Sequence, residues 1–400
     1  MKYDFDTLID RRNSSSVKWD ECNVDGLIPM WVADMDFKAA PFIIEKLQKR
    51  IDHGVFGYVH IPEEYYESVI SWFGKRRNWK IERDWIQPIA GLVPALSVAV
   101  KAFCQPGDAV VFMNPAYNCF FSSVRNNGCM ALASDLIYTE KEDGTLDFRM
   151  DFEDIEKKCA EPRAKLFILC NPHNPTGRIW SREELMRLGE ICRRHNVIVV
   201  SDEIHCELEM PGNTYIPFAS TCPENQDNCV SFNSPSKSFN LAGLMISNIV
   251  TSRPEWRDRI DRVINDWEHC DVNPFGADAL VAAYTEEGEE WLTELNSVLW
   301  NNFEYLRDEL KKALPELHIC NLEGTYLPWL NVAPFVEKGI SAKAISDSLI
   351  QNEKVWINGG EMYGDGKFMR INIACPRERL VEGTRRIVAG LLRIKAEYGI

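Results

Sequence analysis

The chain has 400 residues, 45% of them apolar and 26% charged, which is typical of a globular protein with a sizeable core and more than one domain. Lys and Arg total 45 against 60 for Asp and Glu, so the formal net charge is −15 at pH 7, which argues against nucleic acid or an anionic membrane surface as the main partner. The apolar stretch at residues 88–100 is too short to span a membrane and contains Gly91 and Pro94, so we expect no transmembrane segment.

The N-terminal residues and the cysteines bear on location and redox state. The start, MKYDFDTLIDRR, is polar and lacks the apolar core of a signal peptide, so we expect a cytoplasmic protein. No two of the thirteen cysteines are closer than Cys222 and Cys229, so there is no Cys-x-x-Cys pair for a metal or redox site. An odd number of cysteines in such a chain is typical of reduced thiols, most of them in the core, and we expect neither a disulfide scaffold nor a bound metal.

In chain order, the middle of the sequence alternates between turn or helix patterns and apolar strand-like runs. AGLVPAL (90–96) predicts a turn followed by a helix start. Residues 181–196 have apolar residues at helical spacing, and Ser181 and Glu184 are placed as a capping box. The predicted strands occupy residues 108–113, 164–170, 196–202, 229–233 and 245–250. Continuous apolar runs separated by helices indicate an α/β fold, in which helices cover a large, mostly parallel central sheet.

The pattern changes near residue 285. A long amphipathic helix, the strand-like YLPWLNV, and two further helices follow, which is typical of a smaller α+β domain. We predict a large ligand-binding domain at residues 46–285 and a small domain formed by residues 1–45 and 286–400.

Unusual polar segments follow four of the predicted strands. They are NPAYNCF (114–120), NPHNPTG (171–177), SDEIH (201–205) and SPSKSFNLAG (234–243). In parallel α/β sheets, ligands bind outside the carboxyl ends of the strands. We therefore expect these segments to form the functional site.

Three residues in these segments have both a structural and a functional interpretation. Lys237 lies in a Ser/Asn-rich loop, where a lysine is usually a solvated surface charge. Asp202 ends a buried strand, and its carboxylate either caps a helix or pairs with a cation, which could belong to a ligand such as a protonated pyridine. The X-Pro bonds on either side of Asn174 would hold its amide in a fixed direction, although NPHNPTG could also be only a rigid loop.

A hydrolase hypothesis starts from the same loop. Ser234 and Lys237 match the S-x-x-K pair of penicillin-recognising enzymes. However, neither a Ser-Asp-Asn nor a Lys-Thr-Gly element accompanies the pair, and Ser234 follows a strand without a clear helix start.

In their order and spacing, NPHNPTG, SDEIH and SPSKSFNLAG resemble the pyridoxal-phosphate enzymes of aminotransferase fold type I over essentially the whole chain. A narrower resemblance is to the MalY/PatB branch, which contains cystathionine β-lyases and cysteine C–S lyases. It is carried by PMWVADMDF (29–37), GYVHIPEEY (57–65), AGLVPAL, NPAYNCF, DEIH (202–205), EGTYLPW (323–329) and RINIACP (370–376). The resemblance implies the PLP-dependent transferase fold type I, the cofactor pyridoxal 5′-phosphate and a small amino-acid substrate.

The resemblance also assigns roles around the cofactor ring. Lys237 would bond covalently to the cofactor aldehyde and then act as the base at the substrate α-carbon, while Asp202 would pair with the pyridine nitrogen and keep it protonated. Asn174 would donate to the ring oxygen, which His205 could also contact, although a packed histidine is an equal alternative. Tyr117 would stack on the ring and assist catalysis; otherwise it is a core aromatic.

The cofactor phosphate would be held by the backbone N–H groups of Leu92 and Val93 at a helix start, and by the hydroxyls of Ser234 and Ser236. Tyr58 matches the tyrosine that reaches the phosphate from the neighbouring subunit, which implies a homodimer with a shared active site.

One position departs from the wider family. Aspartate aminotransferases place an arginine on the phosphate eight residues after the lysine, and this chain has Met245 there. Another group must neutralise the phosphate, or neutral donors hold it.

At the substrate end, Arg370 would clamp the α-carboxylate by a two-point contact, with Asn174 and Ala33 beside it. The branch implies β-elimination from L-cystathionine, L-cysteine or related S-substituted cysteines. An aminotransferase of the same fold is the alternative. A third possibility is a regulatory role through binding a transcription factor, alone or beside catalysis; the intact set of Lys237, Asp202 and Arg370 argues against an inactive enzyme.

Overall fold

The computed structural model describes residues 1–266, 268 and 271–400 of the chain. Within these residues the strands are β1 (Ile28–Pro29), β2 (Ile86–Ile89), β3 (Ala109–Asn114), β4 (Met130–Asp135), β5 (Ile137–Glu140), β6 (Thr145–Arg149), β7 (Ala164–Cys170), β8 (Ile198–Asp202), β9 (Cys229–Asn233), β10 (Ser247–Val250), β11 (Ile319–Cys320), β12 (Trp329–Asn331), β13 (Val355–Trp356), β14 (Asn358–Gly359) and β15 (Phe368–Arg370).

The α-helices connect these strands and cover the sheets. They are α1 (Val17–Asp20), α2 (Pro41–His53), α3 (Glu63–Arg77), α4 (Leu92–Phe103), α5 (Asn118–Asn126), α6 (Phe152–Cys159), α7 (Arg182–Arg194), α8 (Pro223–Asp227), α9 (Pro254–Asp266), α10 (Pro274–Ala283), α11 (Glu286–Ala313), α12 (Ala333–Val336), α13 (Ala342–Ser348) and α14 (Arg377–Tyr398). Among the residues described, no helix is long and apolar enough to cross a membrane.

The central sheet has the strand order β2-β10-β9-β8-β7-β3-β4. The strands from β9 to β4 run parallel, and β10 pairs antiparallel with both β9 and β2. Alternate residues of β3 enter two separate apolar cores, Val111 on one face and Val110 and Phe112 on the other, because helices cover both faces. The predicted mostly parallel α/β sheet is therefore confirmed.

Local helix signals also match the structure. Helix α7 begins after Ser181, whose Oγ accepts from Glu184 N while the Glu184 side chain accepts from Ser181 N, as the capping-box pattern predicts. Helix α4 begins after Gly91, which has a φ of 98°, a conformation that side chains other than glycine adopt rarely. The turn and helix start predicted at residues 90–96 are confirmed.

A second sheet has the order β14-β15-β12-β11-β6-β5. It takes β5 and β6 from residues 137–149, inside the segment predicted as the large domain, through parallel pairing of β6 with β11. Strand β1 pairs in parallel with β13, which joins the N-terminal segment to the C-terminal part of the chain. The domain limits at residues 46–285 remain a prediction.

Both sheets present site residues at strand ends. In the central sheet, Cys170 at the end of β7 lies opposite Asp202 at the end of β8, so the segments that follow both strands start from one edge. In the second sheet, Arg370 ends β15 and lies between Trp329 of β12 and Asn358 of β14. The strand registers therefore fix the backbone positions from which the Asp202 carboxylate and the Arg370 guanidinium extend.

Candidate active site

A cavity of about 440 Å³ lies at the carboxyl edge of the central sheet. It brings together most of the residues singled out from the sequence, although they come from distant parts of the chain. Those on its wall are Ala33, Leu92, Val93, Tyr117, Asn174, Asp202, His205, Ser236, Lys237 and Arg370.

Lys237 is the cavity's amine. It follows β9, and its Nζ donates a hydrogen bond to the carbonyl oxygen of Ala33 at 2.7 Å. Burial, together with the positive charge of Arg370, lowers the pKa of Lys237 to about 8, against the opposing effect of Asp34 and Asp202. An appreciable fraction of the amine is therefore unprotonated near neutral pH, as a nucleophile or base requires.

Asp202 is the cavity's carboxylate, and it is 2% exposed at the end of β8. Its Oδ1 accepts a hydrogen bond from Ile204 N at 3.2 Å. Burial raises the pKa of Asp202 to about 7, because the hydrogen bond from Ile204 N and the charge of Lys237 only partly offset its effect. A buried carboxylate in this state is stabilised by a cationic or proton-donating group placed against it.

Arg370 forms the opposite end of the cavity and is 4% exposed. Its Nη1 donates to Asn174 Oδ1 at 3.1 Å and its Nη2 donates to the Trp31 carbonyl at 3.0 Å. Its guanidinium lies 4.5 Å from the ring centroid of Tyr363. These contacts fix the plane of the guanidinium, so that it can receive a carboxylate at two points.

The N-terminal segment at residues 31–35 supplies backbone carbonyls to this site. Asn372 Nδ2 donates to the carbonyls of Val32 (2.6 Å) and Asp34 (2.7 Å), and Tyr326 Oη donates to that of Ala33 (3.1 Å). Because side chains donate hydrogen bonds to three consecutive carbonyls, the Ala33 carbonyl, which accepts from Lys237, has a fixed position.

The start of helix α4 forms the other end of the cavity. Leu92 and Val93 are its first helical residues, so their backbone N–H groups have no partner within the helix and can bind an anion. Met245 lies at the same place: a Cβ on Gly91 would be 3.9 Å from Met245 Cε. Met245 therefore lies beside this turn and brings no charge to it.

Tyr117 and His205 complete the walls around the middle of the cavity. Burial raises the pKa of the Tyr117 hydroxyl and lowers that of His205, so both side chains are neutral near pH 7. His205 Nδ1 is buried without a hydrogen-bond partner among the residues described. The neutral imidazole is available for an additional hydrogen bond.

Two predicted residues do not lie on the cavity wall formed by this chain. Ser234 Oγ donates to the Ile246 carbonyl (2.6 Å) and accepts from Ser236 N (3.1 Å), so its hydroxyl stabilises the loop that carries Ser236. The side chain of Tyr58 is fully exposed, at 101%. Their roles toward a phosphate remain predictions.

Other wall residues were not identified from the sequence. They include Val17, Asn118, Asn358, Met362 and Tyr363, whereas Trp31 belongs to the PMWVADMDF motif but received no role. Of the six residues named here, Trp31 and Asn118 lie within a motif, and no local pattern would have indicated the other four.

Comparison with known proteins agrees with this geometry. Residues 27–387 match the family Aminotransferase class I and II, and the chain belongs to that family. Cystathionine beta-lyase PatB of Bacillus subtilis (strain 168) is 39% identical over 393 residues, 97% of this chain and 99% of that protein. Protein MalY of Escherichia coli (strain K12) is 31% identical over 398 residues, 98% of each chain.

A solved structure is similar over the whole length. Cystalysin from Treponema denticola, whose crystal structure contains a pyridoxal 5′-phosphate cofactor, superimposes with a TM-score of 0.92 at 34% identity, covering 99% of this chain and 100% of that one. The resemblance to the MalY/PatB branch and the predicted fold type are confirmed.

Proposed function

We propose that this member of the class I and II aminotransferase family is a pyridoxal-phosphate-dependent C–S β-lyase. Its substrates are L-cystathionine, L-cysteine or related S-substituted cysteines, and its products are a thiol, pyruvate and ammonia. The observation that carries the proposal is one cavity that holds an amine of lowered pKa, a buried carboxylate and a two-point guanidinium, in a chain 39% identical to a cystathionine β-lyase.

The cavity residues fit pyridoxal phosphate. Asp202 has a buried carboxylate with a raised pKa, which a protonated pyridine nitrogen would stabilise as the anion. The start of α4 and Ser236 would provide neutral donors for the phosphate, and Lys237, on the same cavity wall, would bond covalently to the aldehyde. The unpartnered Nδ1 of His205 is a further free hydrogen-bonding atom on this wall.

The chain's own groups then handle the substrate. Arg370 binds the α-carboxylate at two points and, through Asn174, is kept in a fixed plane. Lys237, with its pKa of about 8, accepts the proton from the substrate α-carbon near neutral pH. When bound, pyridoxal phosphate withdraws electrons from that carbon, so that the C–S bond at the β-carbon can break.

We further propose a homodimer in which Tyr58 of the partner subunit contacts the phosphate. Support comes from the exposure of Tyr58 together with its neighbours Val55 (65%) and Phe56 (60%) in a segment between α2 and α3. Burial of these apolar side chains against a second copy would be favourable. A cytoplasmic location also remains a proposal.

The test is turnover without a keto acid. Purified enzyme is incubated with L-cysteine and a panel of S-substituted L-cysteines, and pyruvate is measured per active site. Many equivalents of pyruvate from at least one of them support the lyase. An aminotransferase would leave the C–S bond intact, so about one equivalent per site of a 2-oxo acid that keeps its sulfur, with more formed only when a keto acid is added, would identify that activity instead.

A further inference from the structure

The cavity opens beyond Arg370 through a group of apolar side chains, which we call the apolar rim: Val17, Trp31, Met362 and Tyr363. Trp31 stacks on Trp356 at a centroid distance of 4.3 Å, and its Nε1 donates to the Lys18 carbonyl at 3.1 Å. Val17 and Met362 are 62% and 44% exposed. The rim is thus a fixed indole with two exposed aliphatic side chains at its edge.

The charged residues on the cavity wall, among those described, are Asp202, Lys237 and Arg370. Under the proposed function each of them is engaged by the cofactor or by the α-amino-acid portion of the substrate. None is left for a second charged group on the substrate.

Charges just behind the rim are already paired. Asp34 receives two hydrogen bonds from Arg11, at 3.1 and 2.8 Å, and lies 3.6 Å from Lys18 Nζ. Lys18 and Arg11 also contact the buried Asp36 at 3.1 and 2.9 Å. These charges are therefore already balanced largely by one another.

One acidic residue adjoins the rim in sequence. Glu361 precedes Met362, but its carboxylate accepts a hydrogen bond from Lys343 N at 2.8 Å. It is therefore directed toward the start of α13 and is already used there.

We infer that the leaving thiol which this site accepts best is uncharged and apolar, so that S-alkyl cysteines are better substrates than L-cystathionine. This inference deepens the proposed function and rests on it. Cystathionine would bring the ammonium and carboxylate of its homocysteine portion to a rim that offers neither charge a partner, whereas an alkyl chain loses only its contact with water there.

The reaction is the same for both kinds of substrate. One S-substituted cysteine and one water give one thiol, one pyruvate and one ammonium ion; the C–S bond breaks, and its electron pair leaves with sulfur, which is protonated to the thiol. No oxidant and no second substrate besides water is needed, so the relative rates compare the two leaving thiols.

The experiment compares L-cystathionine with S-isopentyl-L-cysteine on the cofactor-loaded enzyme. The isopentyl group keeps the carbon chain and the branch of the homocysteine portion but replaces its ammonium and carboxylate by methyl groups. We expect kcat/KM to be about tenfold higher for the isopentyl compound, within the range over which apolar pockets discriminate. Pyruvate and released thiol are both measured.

A rim variant tests the assignment of the residues. Met362→Arg puts a cation at the exposed edge, where it can pair with the distal carboxylate of cystathionine. We expect the ratio of the two kcat/KM values to shift toward cystathionine by about three- to fivefold, as for a solvent-exposed ion pair. Met186→Arg is the matched control, since Met186 is 43% exposed on α7 and is not a wall residue of the cavity.

The outcomes separate the two proposals. If both compounds give pyruvate and kcat/KM for cystathionine is equal or higher, the leaving-group inference is overturned but the lyase proposal stands. The same holds if Met362→Arg does not change the ratio of the two kcat/KM values. If neither these compounds nor L-cysteine gives pyruvate beyond one equivalent, the proposed function and this inference both fall.

Discussion

Arg370→Lys tests whether substrate recognition depends on a planar, two-point contact. In the structure, Nη1 and Nη2 of Arg370 are held at 3.1 and 3.0 Å by Asn174 and Trp31, so the guanidinium is fixed before substrate arrives. A lysine retains the charge but cannot present two parallel N–H groups in one plane, and it leaves at least one of these two oxygens without the hydrogen bond from residue 370.

The expected magnitude follows from those contacts. Losing one charge-assisted hydrogen bond costs about 1.5–3 kcal/mol, which corresponds to a fall in kcat/KM of about 10- to 150-fold. Most of the loss should appear in KM if Arg370 only binds, and in kcat as well if it also orients the α-carbon.

The assay is steady-state pyruvate formation with S-isopentyl-L-cysteine, with circular dichroism to confirm folding. Arg385→Lys is the matched control, because the Arg385 side chain is 65% exposed on α14. A folded Arg370→Lys enzyme whose kcat/KM stays within about threefold of the original, less than one such hydrogen bond is worth, would refute the two-point clamp.

Further predictions concern the other groups. Arg370→Gln should raise the pKa of Lys237 in the cofactor-free protein, because a positive neighbour that lowers it is removed; the pH dependence of Lys237 acylation measures this shift, and Arg370→Lys should leave it nearly unchanged. Cofactor-free Lys237→Met should resist urea better than the original protein at pH 7, because the lowered pKa of Lys237 means that its ammonium is less stable in the folded protein than in the unfolded chain. As the pH rises from about 8 to 10.5, the folded protein loses this proton before the unfolded chain does, so the difference in the free energy of unfolding should narrow. Asp202→Asn should lower kcat by about tenfold or more and weaken cofactor retention on dialysis, since a charge-assisted hydrogen bond to the ring is lost; unchanged retention and kcat would contradict its role. Tyr58→Phe should speed loss of the bound cofactor on dialysis without changing the fold, and mixing it with Lys237→Ala should restore part of the activity if two subunits share each site; a fully active monomer would contradict the homodimer.

Local patterns in the sequence determined the central sheet and the residues at its edge. The apolar runs in β7, β8 and β9 are typical of strands that are buried on both faces. The capping box formed by Ser181 and Glu184 sets the start of α7 through local hydrogen bonds alone. Since polar residues directly after such strands must lie at the sheet's carboxyl edge, the sequence alone places Asp202 and Lys237 near each other.

The tertiary structure alone decided what these residues contact. Lys237 donates to the carbonyl of Ala33, 204 residues away, and Arg370 to that of Trp31, 339 residues away. Every residue has a backbone carbonyl, so such contacts leave no mark on side-chain composition or spacing. The pairing of β6 with β11 and the apolar rim, with Val17 and Met362 from opposite ends of the chain, arise in the same way, because distant segments meet only when the two sheets and the N-terminal segment pack together.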